Sequence, residues 1–427
     1  MYEHSHPRPP ELILGETDYR GHARRFGLRA DDRARHLYVL GATGSGKSNL
    51  LASLMAQDLG AGHAVMLLDP HGDLAETVLG FASPGRPVLV LDPADTSCTI
   101  PWNPLQSRLP EALRVSHLVA VFRRLWADSW GPRLEHLLRS ALRVVAAHPR
   151  GSLLLTYRFL TEPALMARLA AGALDPLVQR VWLREFASFS KQQKSEALAP
   201  VLNKLGAFFG DPVLRRTFGY EAGRLDLSSI LSRGGLVVAL LSRARLGEAV
   251  STLFGSLLLA ELEAFAFARG PGAPPVHLYL DEFQHFAGER MDALLAEARK
   301  FGLRVTMAHQ FRAQLPEHLD AAIRGNVGTH VYFRLGAEDA RALAPDLAPA
   351  LAEHDLTRLA RHQVAVRLLA DGLPLPAFTA RTLRLVTPAG ADQRRAHARR
   401  VSQARFGVAP DRIDRHIAQF LPRSFGV

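Results

Sequence analysis

The chain has 427 residues, of which 48% are hydrophobic and 22% charged, a composition typical of globular proteins. The 52 Lys and Arg exceed the 41 Asp and Glu, and the formal net charge of +11 indicates a polyanionic partner or an anionic membrane surface. Cys98 is the single cysteine, which excludes an intrachain disulfide and favours a cytoplasmic protein. The longest apolar run, Ala249–Ala260, is too short for a membrane span and predicts a buried helix.

Short apolar runs mark the strands of the predicted core. Most are apolar at every position, which is typical of parallel strands covered on both faces. Helical patterns separate them, so we predict an α/β fold with a mainly parallel sheet. The predicted strands are Leu37–Leu40, Val65–Asp69, Val88–Asp92, Leu236–Leu241, Val276–Asp281, Arg304–Ala308, His330–Leu335 and Val364–Leu369.

The interval between the third and fourth of these strands is helical. Within it, Arg133–Val145 places Leu134, Leu138 and Leu142 on one face at intervals of four residues. Residues 105–223 are therefore predicted to form an inserted all-α domain. The other predicted segments are a small N-terminal β element (1–36), an α/β core (37–104 and 224–380) and a basic C-terminal tail (381–427).

The predicted tail is the most basic part of the chain. Residues 381–427 carry ten Arg and three Asp, so +7 of the net +11 lies there. Asp411–Leu421 is its one predicted helix. The arginines form either a solvated helix face or a surface that faces the phosphates of nucleic acid or lipid.

A phosphate-binding loop follows the first predicted strand. The run from Gly41 to Ser48 matches G-x-x-x-x-G-K-[ST] and precedes a helical pattern. Its glycines let backbone N–H groups cradle phosphates, Lys47 can reach the β- and γ-phosphates, and Ser48 can ligate Mg²⁺. The predicted nucleotide-binding residues are Gly41, Thr43, Gly44, Ser45, Gly46, Lys47, Ser48 and Asn49.

An acidic pair ends another predicted strand. Asp281 is placed to hold Mg²⁺, and Glu282 is placed to polarise an attacking water, which favours ATP hydrolysis over simple binding. Asp69 and Asp92 also end apolar strands and compete for the metal role, but each is followed by Pro rather than Glu.

Several segments together resemble the HerA/FtsK superfamily of hexameric P-loop motors, and within it the TraG/TraD-type coupling proteins of conjugation and type IV secretion. The resemblance covers about residues 11–380 and implies a RecA-like core that binds ATP and Mg²⁺ at the interfaces of a ring. The segments that carry it are Arg35–Ser48, Leu68–Asp73, Asn103–Leu105, Trp130–Glu135, Leu280–Phe286 and Ala298–Gln310.

The same resemblance implies two further site residues. Gln310 matches the family's polar sensor of the γ-phosphate, although a loop amide is the alternative. Arg299 matches an arginine finger that acts on the neighbouring subunit's nucleotide; the alternative is a surface Arg paired with an acid, and Arg324 and Arg334 are rivals for the role.

We therefore predict an ATP hydrolase that drives DNA through a ring, expected to be a hexamer, in conjugative or cell-to-cell DNA transfer. The DNA contacts are expected to be to the backbone, without sequence specificity. The alternatives are a HerA-like motor for DNA repair and end resection, a type IV secretion ATPase that moves protein subunits, and a scaffold that binds ATP only to order the ring. Relatives usually begin with membrane-spanning helices, whereas this sequence has no apolar run of that length. We therefore expect a soluble form, or one held peripherally at the inner membrane by a partner or by its basic tail.

Overall fold

The computed structural model describes residues 11–19, 22–107, 109–286 and 291–420. The chain divides into two compact units. The first, the sheet unit, comprises Met1–Val90, Leu227–Ser242 and Phe265–Arg399. The second, the helical unit, comprises Leu91–Asp226, Arg243–Ala264 and Arg400–Val427. The four segments predicted from the sequence, with their own boundaries, stay a proposal.

Among the described residues, eleven strands form one sheet in the order β2-β1-β13-β10-β9-β3-β8-β7-β4-β6-β5. The strands are β1 (Leu12–Tyr19), β2 (His22–Leu28), β3 (Leu37–Leu40), β4 (Ala64–Asp69), β5 (Val88–Leu91), β6 (Leu236–Leu240), β7 (Val276–Leu280), β8 (Leu303–His309), β9 (Thr329–Tyr332), β10 (Gln363–Arg367) and β13 (Phe378–Thr382), with a separate hairpin of β11 (Leu369–Ala370) and β12 (Leu373–Pro374).

The centre of the sheet is parallel, as the apolar runs predict. Strand β3 pairs in parallel with β8 and β9, and β4 with β6 and β7, and nearly every residue of these strands is buried. Strands β1, β2, β10 and β13 add antiparallel pairs at one side. The predicted α/β class, with its N-terminal β element and helical insertion, is confirmed.

The helices, in chain order, are α1 (Ala30–Arg33), α2 (Lys47–Gly60), α3 (Asp73–Leu79), α4 (Glu111–Leu125), α5 (Pro132–Ala146), α6 (Leu153–Thr161), α7 (Pro163–Ala171), α8 (Pro176–Arg180), α9 (Lys191–Gly210), α10 (Pro212–Phe218), α11 (Leu227–Leu231), α12 (Arg243–Leu246), α13 (Glu248–Arg269), α14 (Met291–Glu297), α15 (Glu317–Asn326), α16 (Ala337–Leu347), α17 (Glu353–Thr357), α18 (Ala391–Phe406) and α19 (Pro410–Phe420).

Helix α2 covers one face of the parallel strands. It buries Leu50, Leu51 and Leu54 in the same apolar cluster as Val39 of β3 and Val65 of β4. Burial of such side chains supplies about 1.5–3 kcal/mol each, so this packing fixes the start of α2 against the end of β3. The phosphate loop between the two elements is thereby held on a rigid frame.

The helical unit has an aromatic core of its own. Phe218 packs against Trp102, Phe208 and Phe254, with ring centroids 5.3–5.6 Å apart. Helix α5 contains the predicted amphipathic run and buries its apolar face. Because α13 supplies Phe254 to this core, that helix is held by packing at its start.

Two helices form the end of the described chain, where the sequence predicts one. Helix α19 matches the predicted Asp411–Leu421, whose last residue lies outside the described residues, and it buries Ile413 and Ile417 in a small core with Leu154 and Val408. Helix α18 has no counterpart among the predictions. Its Arg395 and Arg399 both form ion pairs with Glu76, so part of the basic charge is neutralised within the sheet unit.

One helix in the described part of the chain, α13, is long and apolar enough to cross a membrane. Its most apolar window has a mean hydropathy of 1.5, and 67% of that window is buried inside the protein. A buried core helix has the same length and composition, so these two properties are only weak evidence for a membrane span.

Candidate nucleotide site

The phosphate loop lies where the carboxyl ends of four parallel strands meet. Strand β3 ends one residue before Gly41, and β4, β7 and β8 end at neighbouring positions of the same sheet edge. Ligands of open parallel sheets bind at this edge, because the loops that follow the strands converge there. The sheet therefore brings the predicted loop, the acidic pair and Gln310 together.

Lys47 is the first residue of α2, and its side chain curls back over the loop. Its Nζ donates to the carbonyl oxygen of Gly41 at 2.6 Å and to that of Ala42 at 3.3 Å. The ammonium group is buried, and this burial lowers the pKa of Lys47 even though Glu282 and Asp281 act in the opposite direction. Ser48 follows on the exposed side of α2, where its hydroxyl is open to a ligand.

Gln310 links the loop to the acidic pair. Its Oε1 accepts a hydrogen bond from Thr43 Oγ1 at 2.9 Å, and its Nε2 donates to Glu282 Oε1 at 2.9 Å. The other carboxylate oxygen of Glu282 accepts from Gln284 Nε2, also at 2.9 Å. One amide thus contacts both the loop that would hold phosphate and the carboxylate that would contact water.

Asp281 is buried in a site that disfavours its charge. Burial raises the pKa of its carboxyl to about 7, with the nearby charges of Asp69 and Glu282 acting in the same direction and Lys47 opposing them. A divalent cation would supply the missing positive charge. This carboxyl is therefore suited to a metal ligand.

The two rival acids have other partners. Asp69 is fully buried, and its two oxygens accept from the backbone N–H groups of His71 and Ala75, so it caps the start of α3. Asp92 belongs to the helical unit, where it forms an ion pair with Arg245. These contacts give both carboxylates structural partners, while the metal role predicted for Asp281 stays a prediction.

Glu282 has an uncommon backbone conformation. Its φ is +44°, in the left-handed region, which costs a residue with a Cβ about 1–3 kcal/mol. The turn starts a short 3₁₀ segment, Phe283–His285, directly after β7. It keeps the Glu282 side chain at the strand tip beside Gln310.

The predicted arginine finger lies at the other edge of the sheet. Arg299 is exposed in a short 3₁₀ helix before β8, whereas Gln310 follows the end of β8, a strand that spans about 20 Å. Of the two rivals, Arg324 forms an ion pair with Asp320 on α15. Arg334 follows β9, and its backbone carbonyl oxygen accepts a hydrogen bond from the N–H of Ala42 in the phosphate loop. Arg299 cannot reach its own chain's loop.

Two residues at the loop escape sequence reasoning. His362 has a positive φ of +66°, and its backbone N–H donates to the carbonyl oxygen of Ser45. Its Nδ1 lies only 2.7 Å from the point where a Cβ on Gly46 would be. Phe333 lies 3.0 Å from the same point. Gly46, with φ +124°, is thus required both by conformation and by space. No motif marks either neighbour, because both come from distant parts of the chain.

Asn49 turns away from the loop. Its side chain donates to the carbonyl of Leu383 at 2.9 Å and accepts from the N–H of Leu385 at 3.3 Å. These contacts tie α2 to the segment after β13, while the nucleotide-binding role predicted for Asn49 stays a prediction.

Two family matches cover parts of the chain. Residues 21–118 match the family described as helicase HerA, central domain, and residues 275–362 match the one described as the TraM recognition site of TraD and TraG. No curated protein sequence matches the chain significantly.

Solved structures share the fold at low sequence identity. The plasmid coupling protein TrwB in complex with ADP and Mg²⁺ is 18% identical with a TM-score of 0.64, over 85% of this chain and 88% of that one. An unbound form of the bacterial conjugative coupling protein TrwBdeltaN70 is 16% identical with a TM-score of 0.63, over 87% and 89%. VirB4 of Thermoanaerobacter pseudethanolicus is 16% identical with a TM-score of 0.59, over 90% and 98%.

The first family match contains the phosphate loop and the second contains the acidic pair, Gln310 and His362. The matched segments therefore hold the whole cluster of residues at the sheet edge. The predicted resemblance to the HerA/FtsK superfamily, and within it to the TraG/TraD-type coupling proteins, is therefore confirmed over these two segments.

Proposed function

We propose that this chain is an ATP-driven DNA translocase that assembles as a ring, a hexamer, and works in conjugative or cell-to-cell DNA transfer. The observation that carries the proposal is the chain of hydrogen bonds from Thr43 through Gln310 to Glu282. The side-chain amide of Gln310 alone thus connects the phosphate loop to the carboxylate of Glu282. Such a link serves hydrolysis, in which the water-activating group must respond to the γ-phosphate.

The roles follow from the positions of the side chains. Lys47 and the loop N–H groups bind the phosphates of ATP, and the helix start adds partial positive charge. Glu282 orients and deprotonates the attacking water, and Gln310 senses whether the γ-phosphate is present. The TrwB structures with ADP and Mg²⁺ and with a non-hydrolysable ATP analogue have the same fold and support these ligands.

Ser48 and Asp281 are the residues that would hold Mg²⁺. Their fit is supported by the hydroxyl of Ser48 on the exposed side of α2 and by the raised pKa of the buried Asp281 carboxyl, which a cation would offset. Mg²⁺ bound there would neutralise charge that develops on the phosphate oxygens. Mg²⁺ prefers oxygen ligands, and Ser48 and Asp281 offer a hydroxyl oxygen and a carboxylate oxygen.

A ring is supported by the position of Arg299. This residue is exposed at the sheet edge opposite to the loop, so it can neutralise transition-state charge only in a neighbouring subunit. A mixture of Arg299→Ala chains and Lys47→Ala chains tests this arrangement. We expect the mixture to hydrolyse ATP faster than either variant alone, because some interfaces combine an intact loop with an intact arginine. Lack of complementation would contradict a role in trans.

DNA is proposed as the substrate that the ring moves. The chain carries a net charge of +11, and a moving motor requires contacts to phosphates rather than to base edges. We expect the ATPase rate to rise on addition of DNA and to lose this stimulation as salt is increased. An ATPase rate that is the same with and without DNA at every salt concentration would refute the translocase.

Glu282→Gln tests the assigned base. We expect kcat to fall by about 10²–10⁴ while ATP binding remains, because the amide keeps the shape but cannot accept a proton. Glu297→Gln, at an exposed acid of α14, is the matched control and should keep the wild-type rate. Normal hydrolysis by Glu282→Gln would reject this residue as the base.

Two other motors of the superfamily are the alternatives. The HerA match at residues 21–118 is compatible with an end-resection motor, and the other alternative is a secretion ATPase that moves protein subunits. A secretion ATPase would hydrolyse ATP without stimulation by DNA. A resection motor would be stimulated by DNA ends more than by closed circular DNA of the same length. Stimulation by both forms alike supports transfer.

A further inference from the structure

Three potential metal ligands meet at the edge of the sheet opposite to the phosphate loop. Glu11 comes just before β1, His63 just before β4, and His277 is the second residue of β7. One ligand atom from each lies within 4.8 Å of the others. All three belong to the sheet unit, and none takes part in the proposed ATP chemistry.

His277 is buried without a hydrogen-bond partner. Its side chain is 1% exposed, and neither Nδ1 nor Nε2 has a hydrogen bond within the described structure. A buried polar group without a hydrogen bond is unfavourable. A ligand at this ring would satisfy it.

His63 is oriented as metal-binding histidines usually are. Its Nδ1 lies 3.2 Å from Asp58 Oδ1, a contact that leaves Nε2 free to bind a metal. That Nε2 is 3.8 Å from Glu11 Oε1, and the ring stacks on His277 with centroids 4.9 Å apart. Asp58 is fixed in turn, because it accepts from Arg33 Nη1 at 2.6 Å and from the Tyr279 hydroxyl.

We propose that Glu11, His63 and His277 form a binding site for one divalent transition metal ion of the Zn²⁺ type. Two imidazoles and one carboxylate are a ligand set typical of zinc, with water in the fourth position. Tetrahedral Zn²⁺ holds its ligand atoms roughly 3.3 Å apart, so the distances between the three groups must shorten by about 0.5–1.5 Å. The Glu11 side chain is about a quarter exposed and can supply this movement by changing rotamer, while His63 keeps its contact with Asp58.

The surrounding charges balance one another, so the types of ligand atom decide which metal ion this site favours. Arg304 lies 3.1 Å from Glu11, and Arg33 pairs with Asp58, so two cations and two carboxylates balance one another. A hard ion such as Mg²⁺ or Ca²⁺ would need more oxygen ligands than one carboxylate offers. An ion that binds imidazole nitrogen is therefore favoured over the Mg²⁺ of the ATP site.

A metal at this position would join three separated segments. It would tie the residue before β1 to the turn before β4 and to β7, and so fasten the N-terminal strands to the parallel core. Because such an ion binds the folded chain and not the unfolded one, it would raise the melting temperature. Its action on stability is separate from ATP hydrolysis.

The test is titration of the chelator-treated full chain with Zn²⁺, without nucleotide or Mg²⁺, followed by calorimetry and thermal melting. We expect one Zn²⁺ per chain and a higher Tm. His63→Gln and Glu11→Gln should each weaken Zn²⁺ binding by about tenfold or more and remove the Tm increase. His318→Gln, at an exposed histidine of α15, is the matched control and should bind as the wild type does.

His277→Gln would weaken binding as well, but it replaces a buried strand residue. His63→Gln and Glu11→Gln therefore carry the test, with circular dichroism in chelator to show that both fold. Wild-type Zn²⁺ affinity in both variants, or less than one bound Zn²⁺ per wild-type chain, would overturn the site. Neither result depends on ATPase activity, so the site and the translocase fail independently.

Discussion

Asp281→Asn is expected to stabilise the ligand-free protein at high pH. The carboxyl has a pKa of about 7 in the folded chain, against an ordinary value of 3.8, chiefly because it is buried. The folded state therefore keeps a proton between pH 4 and pH 7 that the unfolded chain releases. Stability falls as the pH rises through this window, and the full penalty is present above pH 7.

The size of the effect follows from the pKa difference of about three pH units. Each unit corresponds to about 1.4 kcal/mol, so charging Asp281 in the fold costs at most about 4 kcal/mol. Water that enters the ligand-free site reduces this figure. We expect Asp281→Asn to raise the free energy of unfolding by about 2 kcal/mol at pH 8 and by almost nothing at pH 4.

The assay must report on the sheet unit. All four tryptophans, Trp102, Trp126, Trp130 and Trp182, belong to the helical unit, so their fluorescence does not follow the site. Amide hydrogen exchange of the β7 residues, measured in chelator from pH 5 to pH 8, is the suitable measurement. With Mg²⁺ and ATP present the order should reverse, since only the wild-type carboxylate gains a cation.

Asp69→Asn is the matched control at the neighbouring strand end. Both of its carboxylate oxygens accept backbone N–H groups, so the amide loses one acceptor and is expected to destabilise the fold by about 1–3 kcal/mol. An Asp281→Asn chain that is no more stable than the wild type at pH 8, or that gains equally at pH 5, would refute the reasoning.

Three further substitutions test other contacts. Thr43→Val removes the donor to Gln310 and should lower kcat for ATP about tenfold with little change in nucleotide affinity, measured by steady-state kinetics and equilibrium binding. His362→Asn keeps a residue that tolerates positive φ but removes the ring packed on Gly46, and a fluorescent ATP analogue should bind about threefold to tenfold more weakly. Ile417→Ala opens the small core under α19 and should cost the helical unit about 2–4 kcal/mol, seen as an earlier tryptophan unfolding transition; unchanged transitions would show that α19 is not held by this packing.

The parallel core could be predicted because its strands are buried on both faces. A strand such as β3 has no solvent side, so its four residues are all apolar and the run stands out from its neighbours. The phosphate loop and the acidic pair were visible for a related reason: each is a contiguous motif at the end of such a run. Strand order alone then brings them to one edge of the sheet.

Helix α18 was not predicted because all but one of its buried residues are small or polar. It places Ala391, Ala398 and Ser402 against the protein, together with Phe406, and these give almost no hydrophobic periodicity among its arginines. The ion pairs of Arg395 and Arg399 with Glu76 also require knowledge of the fold. An Arg-rich sequence by itself does not distinguish an anchored helix from a surface that faces phosphate.

The contacts of Gln310, Glu282 and Thr43 show where sequence reasoning ends. Each residue could be predicted individually from its motif. The contact of the Gln310 amide with both Thr43 and Glu282, however, depends on the register of β3, β7 and β8, which the motifs do not give. The trio of Glu11, His63 and His277 is of the same kind, since its members come from three separate elements and follow no spacing rule.

The two edges of the sheet divide the proposed functions between them. The carboxyl edge carries the loop, Asp281, Glu282 and Gln310, which suffice to bind and position a nucleotide. The opposite edge carries Arg299, about 20 Å away along β8, where it has no nucleotide of its own to act on. If hydrolysis needs that charge, a single chain binds ATP but hydrolyses it slowly, and the rate must rise with protein concentration as rings form. The proposed position of Arg299 would in this way make ATP turnover conditional on assembly of the ring.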